Sequence, residues 1–204
     1  MSKDYLLHLS KDKRLKKLVE KHDGFTLKKR KNICIYLCAS IMSQQLSTKV
    51  ADVIYQRFLN LYGGKEPTEQ QILDTPLDTL RSIGLSNAKT NYVHNVARFS
   101  LAQGMDLKKL NKMNNEEVIV YLTQIKGVGR WTVEMLLMFA LGREDVFAID
   151  DLGIQNAMVN IYKLERADKK LFRAELLRIS DKWSPYRTYA CIHLWHWKDN
   201  SPAK

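Results

Sequence analysis

The chain has 204 residues, with 33 Lys and Arg against 22 Asp and Glu, giving a formal charge of +11. An apolar content of 45% supports a packed core and excludes a disordered chain, while 9 Gly and 4 Pro are too few for a turn-rich sandwich. No run approaches the ~18 apolar residues of a membrane span, so a soluble protein is expected. Met1 to Tyr5 lack the apolar stretch of a secretory signal and three cysteines cannot pair completely, which places the chain in a reducing compartment.

Apolar residues recur at helical spacing along the whole chain and nothing alternates as a strand would, so the expected fold is all-α. Leu15, Leu18 and Val19 mark a short amphipathic helix, and Ile33, Leu37 and Ile41 a second, buried one. Ser47 is placed to cap a third, with Val50, Val53, Ile54, Phe58 and Leu61 as its apolar stripe and Gly63-Gly64 as its stop. Pro67 and Pro76 bound a short segment holding Ile72 and Leu73. Leu80 to Ile83 then runs into Gly84, and a helix with Tyr92, Val96 and Phe99 reaches about Gln103 before Gly104 stops it. Asn114 to Glu116 open a helix ending near Ile125. Gly127-Val128-Gly129 turns the chain into another with Val133, Leu136, Leu137 and Ala140, completing a helical hairpin. Asp145 to Asp151 is irregular; helices follow through Met158, through Phe172 and Leu176, and from about Tyr186 to Trp197.

The positive excess is a first functional sign, because a basic protein collects polyanions by releasing their condensed counterions. Runs such as Lys11-Asp12-Lys13-Arg14 and Lys28 to Lys31 read equally well as solvated faces. The hairpin is more specific. Glycines at 127 and 129 permit a sharp turn and close approach of another molecule, and the first amides of the next helix are donors that suit a phosphate. An ordinary turn between helices is the alternative. Asp150 and Asp151 stand just before a helix start, where an acid either caps the helix or, kept anionic, stabilises the sugar cation formed when a glycosidic bond breaks.

Taken together, GVGRWTVEMLLM (Gly127 to Met138), DVFAIDDLGI, WSPYRTYA, SQQLS (Ser43 to Ser47) and LRSIGLSNAK (Leu80 to Lys89) closely resemble the helix-hairpin-helix DNA glycosylases of the 3-methyladenine DNA glycosylase II family. The motifs stand in the family's order, and the likeness covers roughly residues 30 to 197. It implies a compact form without the N-terminal β-rich domain of larger members: one unit, 1–204, of two helical lobes with the hairpin and the aspartate at the cleft between them. The lobes are expected at about 30–110 and 111–190, the hairpin at 116–141, and the segments 1–29 and 191–204 against the first lobe.

Residue by residue, the resemblance assigns the catalytic carboxylate to Asp151, three residues before Ile154, and leaves Asp150 as helper or cap. Trp131, Trp195 and Met135 fall on base-pocket positions, Met135 replacing an aromatic, while Trp183 and Trp197 read as core. Gln45 falls where a side chain enters the gap left by the flipped nucleotide. Gly127, Val128, Gly129, Arg130 and Thr132 would grip the DNA backbone, and the backbone carbonyls of Thr123, Ile125 and Val128 would hold a Na+ or K+. Two departures are Pro185-Tyr186-Arg187, where the family has Pro-Trp-Arg, and Ala148-Ile149, where it has a proline-containing pair.

The implied activity is that of a monomer that flips alkylated purines, such as 3-methyladenine or 7-methylguanine, out of duplex DNA in the cytoplasm, at the nucleoid or in a nucleus. It hydrolyses the N-glycosidic bond to leave an abasic site in base excision repair. Relatives that also nick the strand carry a lysine after the Gly-x-Gly-x turn, where Trp131 stands here, so a monofunctional enzyme is expected. Cys34, Cys38 and Cys191 do not make the four-cysteine set of an iron–sulfur cluster, His193 and His196 read as core or surface, and no required cofactor is expected. Two other readings stand beside this one: a non-catalytic binder of DNA structure, and a glycosylase for deaminated or oxidised bases.

Overall fold

A computed structural model describes residues 4–22 and 24–199, and among these no strand occurs. The packing divides the chain into a central unit, Lys29–Leu136, and a terminal unit made of the described parts of Met1–Lys28 and Leu137–Lys204. The terminal unit begins with α1 (Asp4–Leu9) and α2 (Lys13–Val19). The central unit holds α3 (Ile33–Ser43), α4 (Thr48–Asn60), α5 (Glu69–Asp74), α6 (Leu77–Ser82), α7 (Asn87–Gln103), α8 (Leu107–Leu110) and α9 (Asn115–Leu122). After the turn, α10 (Arg130–Phe139) spans the boundary, and the terminal unit continues with α11 (Leu152–Tyr162), α12 (Lys169–Ser180), a 3-10 turn (Asp181–Trp183) and α13 (Arg187–Asp199).

Local chemistry starts most of these helices. Asn32, Ser47, Thr68, Ser86, Asp106 and Asn114 each accept a backbone amide of the turn they precede, and Thr68–Gln71 and Asn114–Glu117 close capping boxes. In the central unit α7 is the hub: it packs on α3, α5 and α6, burying Leu37, Ile41, Ile72, Leu80, Val93 and Val96. Tyr92, Asn95 and Phe99, three and seven residues apart on α7, meet the hairpin instead. The Tyr92 ring lies under Gly127, Asn95 Nδ2 donates to the Lys126 carbonyl at 3.2 Å, and Phe99 sits edge-on to Tyr121 at 5.0 Å. In the terminal unit α11 lies along α13, and α2 closes on both, around Leu15, Ile154, Met158, Trp183 and Leu194.

Several expectations are corrected. The boundaries at 110/111 and 190/191 do not hold: the hairpin turn groups with the central unit because α7 carries its contacts. The described residues of 4–28 and 191–199 belong to one unit, in which α2 packs on α13 and α11. Residues 1–3, 23 and 200–204 lie outside the described set. On α4 only Ile54 and Phe58 of the expected stripe are buried; Val50, Val53 and Leu61 are exposed. The hairpin's first helix ends at Leu122 rather than near Ile125, and α1 and α8 are additional short helices.

Candidate active site and nucleic-acid interface

The carboxylate of Asp151 is built into the terminal unit by two separate helices. Asp151 is the N-cap of α11, and its Oδ1 accepts the Ile154 amide at 2.8 Å. The same oxygen accepts the Trp195 indole N–H, from α13, at 3.0 Å. Asp151 and Trp195 are each half-buried, so the group is anchored yet reachable. Gly153 makes this approach feasible: a Cβ there would lie 3.1 Å from Asp151 Oδ1, 3.2 Å from Lys198 Cδ and 3.3 Å from Trp195 Cδ1. Capping and catalysis, alternatives in the sequence, are therefore compatible uses of one side chain.

The segment leading to Asp151 is irregular, and α13 holds it in place. Arg187 engages Asp145 through Nε (2.6 Å) and Nη2 (2.9 Å), and the Ser184 hydroxyl donates to the same carboxylate at 2.9 Å. Burial alone raises the Asp145 pKa, but the Arg187 and Ser184 hydrogen bonds outweigh it and hold the carboxyl below its ordinary value. The Thr188 hydroxyl donates to the Arg143 carbonyl at 2.6 Å and accepts the Val146 amide at 3.1 Å. The WSPYRTYA ending thus works as a clamp that aligns the Asp145–Asp151 segment with the helix bearing Trp195. Asp150, exposed, pairs with Arg173 at 2.5 Å, and Trp183 is fully buried.

The central unit carries the other predicted groups. Gln45 is exposed in the turn between α3 and α4, in the left-handed region at φ 60°, and its neighbour Leu46 is also exposed. In the hairpin, Gly127 has φ 103°, and a Cβ there would collide with the Tyr92 ring. The close approach that this glycine permits is to the protein's own ring; Gly129, with nothing within 4 Å of a Cβ, is the open position. Val128 and Thr132 are buried, and Arg130 is held by Glu116 (2.5 and 3.0 Å) and Glu134 (3.0 Å). Trp131, in the first turn of α10, is 46% exposed, whereas Met135 one turn later is buried, its carbonyl accepting the Tyr36 hydroxyl at 3.2 Å. Asp151 and Trp195 are thus brought together in one unit, and Gln45, the hairpin turn, Trp131 and Met135 belong to the other.

Cys34 and Cys38 are buried on α3 and Cys191 on α13. His193 is buried among Tyr5, His22, Phe25 and His196; burial first, then His22 and His196, bring its pKa down to about 4. No group of His, Cys, Asp and Glu suited to a metal ion occurs among the described residues. Two residues escape a sequence reading. Gly153 carries a signal only in the DLGI motif, and Lys89, within the LRSIGLSNAK motif, gains a role only through carbonyls far away in sequence.

Residues 38–182 match the family described as HhH-GPD superfamily base excision DNA repair protein. The chain is 36% identical to DNA-3-methyladenine glycosylase 1 of Schizosaccharomyces pombe, covering 90% of this chain and 80% of that one. It is 33% identical to the alkylbase DNA glycosidase-like protein mag2 of the same yeast, covering 92% and 90%. Among solved structures, the S. pombe 3-methyladenine DNA glycosylase Mag1 in complex with abasic DNA superposes with a TM-score of 0.83 at 33% identity, over 98% of this chain and 99% of that one. A Bacillus halodurans DNA-3-methyladenine glycosidase gives 0.84 at 33%, over 98% and 90%. The chain belongs to the HhH-GPD superfamily of base excision DNA repair proteins.

Proposed function

We propose that the protein is a monofunctional DNA glycosylase that removes alkylated purines from duplex DNA and leaves an abasic site. The observation that carries this reading is the Asp151 carboxylate, held by the Ile154 amide and the Trp195 indole N–H on one oxygen. An alkylated purine such as 3-methyladenine or 7-methylguanine is already cationic, so it departs with the electrons of the C1′–N bond and becomes neutral. Positive charge then appears on the deoxyribose, and a fixed anion stabilises that state more than the neutral-sugar ground state. Water completes the reaction: its oxygen bonds to C1′ as one of its O–H bonds breaks, and that proton passes to solvent, directly or by way of Asp151, which then gives it up.

The other residues serve recognition in this scheme. The flat cationic base stacks on indole, the role given to Trp131 and Trp195. Gln45 fills the vacated stack, and the Gly127–Gly129 turn with the first amides of α10 meets phosphate through backbone donors, since Arg130 is already paired. Trp131 offers no amine for a Schiff base, so water is the nucleophile. The backbone carbonyls of Thr123, Ile125 and Val128, at the α9 C-terminus and in the hairpin turn, are hard neutral donors of the kind that suits a monovalent cation, and the Ile125 carbonyl also accepts the Val128 amide at 2.9 Å. Such an ion, when bound, would steady the turn against phosphate.

The test is release of free base from duplexes carrying single lesions: 3-methyladenine, 7-methylguanine, hypoxanthine and 8-oxoguanine. The proposal expects release of the methylated purines by the wild type and loss of that release in Asp151→Asn. Binding without release would leave a DNA-structure binder, and release confined to hypoxanthine or 8-oxoguanine would place the substrate among deaminated or oxidised bases.

A further inference from the structure

The turn that presents Gln45 closes in an unusual way. The last carbonyls of a helix lack partners within it, and the common solution is a glycine in the left-handed region just beyond the end. Here the left-handed residue is Gln45, at φ 60°, which retains an exposed side chain in a backbone conformation that L-residues disfavour. The carbonyls at the α3 terminus are taken instead by a side chain from α7. Lys89 Nζ donates to the Met42 carbonyl at 3.0 Å and to the Gln44 carbonyl at 2.7 Å.

The placement of Lys89 is informative. It lies in the first turn of α7, where its own amide is bonded to the Ser86 cap and where a cation opposes the helix dipole. That local disadvantage is offset only because the ammonium reaches the negative end of α3. The side chain is half-buried, and burial lowers its pKa, as befits an ammonium committed to carbonyls rather than water.

We infer that Lys89 is a positioning residue for DNA distortion: by bonding the carbonyls of Met42 and Gln44 on either side of the α3 terminus, it fixes the strained turn in which Gln45 enters the duplex. The inference rests on the wedge role proposed for Gln45 above. A lysine that merely stabilised the central unit would act whether or not Gln45 were present; one that acts through Gln45 would not.

The experiment is a double-mutant cycle with a binding readout independent of turnover. Wild type, Gln45→Ala, Lys89→Met, Lys89→Arg and the Gln45→Ala/Lys89→Met pair are titrated onto a duplex with a tetrahydrofuran abasic site opposite 2-aminopurine. Affinity and the fluorescence change of the orphaned base are both recorded. Gln45→Ala and Lys89→Met should each weaken binding about 10-fold and blunt the fluorescence change, and the double variant should lie within about twofold of Gln45→Ala alone, because coupled residues are not additive. Lys89→Arg should recover much of the loss. If Lys89→Met does not fold, the cycle is run with Lys89→Arg, whose partial loss should vanish in the Gln45→Ala background. Multiplicative losses, about 100-fold in the double variant, would overturn the role assigned to Lys89 while leaving the wedge intact. Wild-type behaviour of Gln45→Ala alone would instead overturn the wedge reading on which it rests.

Discussion

Two aspartates in the terminal unit use nearly the same chemistry to different ends. Asp12 caps α2, and Asp151 caps α11; each also accepts a tryptophan indole N–H, from Trp183 and Trp195 respectively. Asp12 has donors on both oxygens: the Arg14 and Leu15 amides on Oδ1, and the Tyr162 hydroxyl and Trp183 indole on Oδ2. Burial alone raises its pKa, yet the Tyr162 and Trp183 bonds win and hold the carboxyl below its ordinary value. Trp183 is fully buried, so this cluster joins α2 to the core. At Asp151 the Ile154 amide and the Trp195 indole N–H both bond Oδ1, and Trp195 is only half-buried. A helix cap with an indole partner is therefore not a signature of catalysis; what separates the two is whether the tryptophan is sealed in.

The largest effect should come from exchanging charge at the two positions. Asparagine caps a helix as well as aspartate does. Asp151→Asn should therefore slow base release by about 10³-fold or more, with a melting temperature within about 3 °C of wild type. Asp12→Ala should do the reverse. Leaving the Tyr162 hydroxyl and Trp183 N–H without an acceptor should cost about 2 to 4 kcal/mol in urea unfolding, with release per folded molecule unchanged. If Asp12→Ala abolished release without destabilisation, the distinction would fail.

The His193 pKa, about 4 in the folded protein, lies below the ordinary histidine value of about 6.5, so the unfolded chain binds the extra proton. Stability from this group is full above about pH 6.5 and is lost as pH falls toward 4, by roughly 2 to 3 kcal/mol. Urea unfolding across that window should show the loss in wild type and a flatter profile in His193→Phe. The smallest effect belongs to the packing around Oδ1. Trp195→Phe and Gly153→Ala should each slow release by about 10-fold, the first by removing the indole donor and the second by crowding Asp151 Oδ1 and the side chains of Trp195 and Lys198.

Much of the fold was legible because its signals are local. Ser47 caps α4, Gly104 ends α7 at φ 73°, and Asn114 opens α9, each where the sequence places them. Helices of four and six residues, α8 and α1, are too short to show a period. Asp151 and Trp195 were legible only through motifs, and nothing local states that the indole would bond the carboxylate, since 44 residues separate them. The same holds for Lys89 and its carbonyls, and for Gly127 and the Tyr92 ring: both depend on long-range packing that composition and spacing do not encode. Apolar periodicity also misjudged Val50 and Val53, because it marks a face without saying what covers it.

Whether Asp151 confronts a developing sugar cation is decided by the affinity for two duplexes that differ only in charge: one with a cationic pyrrolidine in place of the lesion-bearing deoxyribose, the other with the neutral tetrahydrofuran. Wild type should prefer the cationic duplex by about 10- to 100-fold, and Asp151→Asn should bind the two alike. An equal preference for the pyrrolidine in Asp151→Asn would show that the carboxylate does not face the sugar cation.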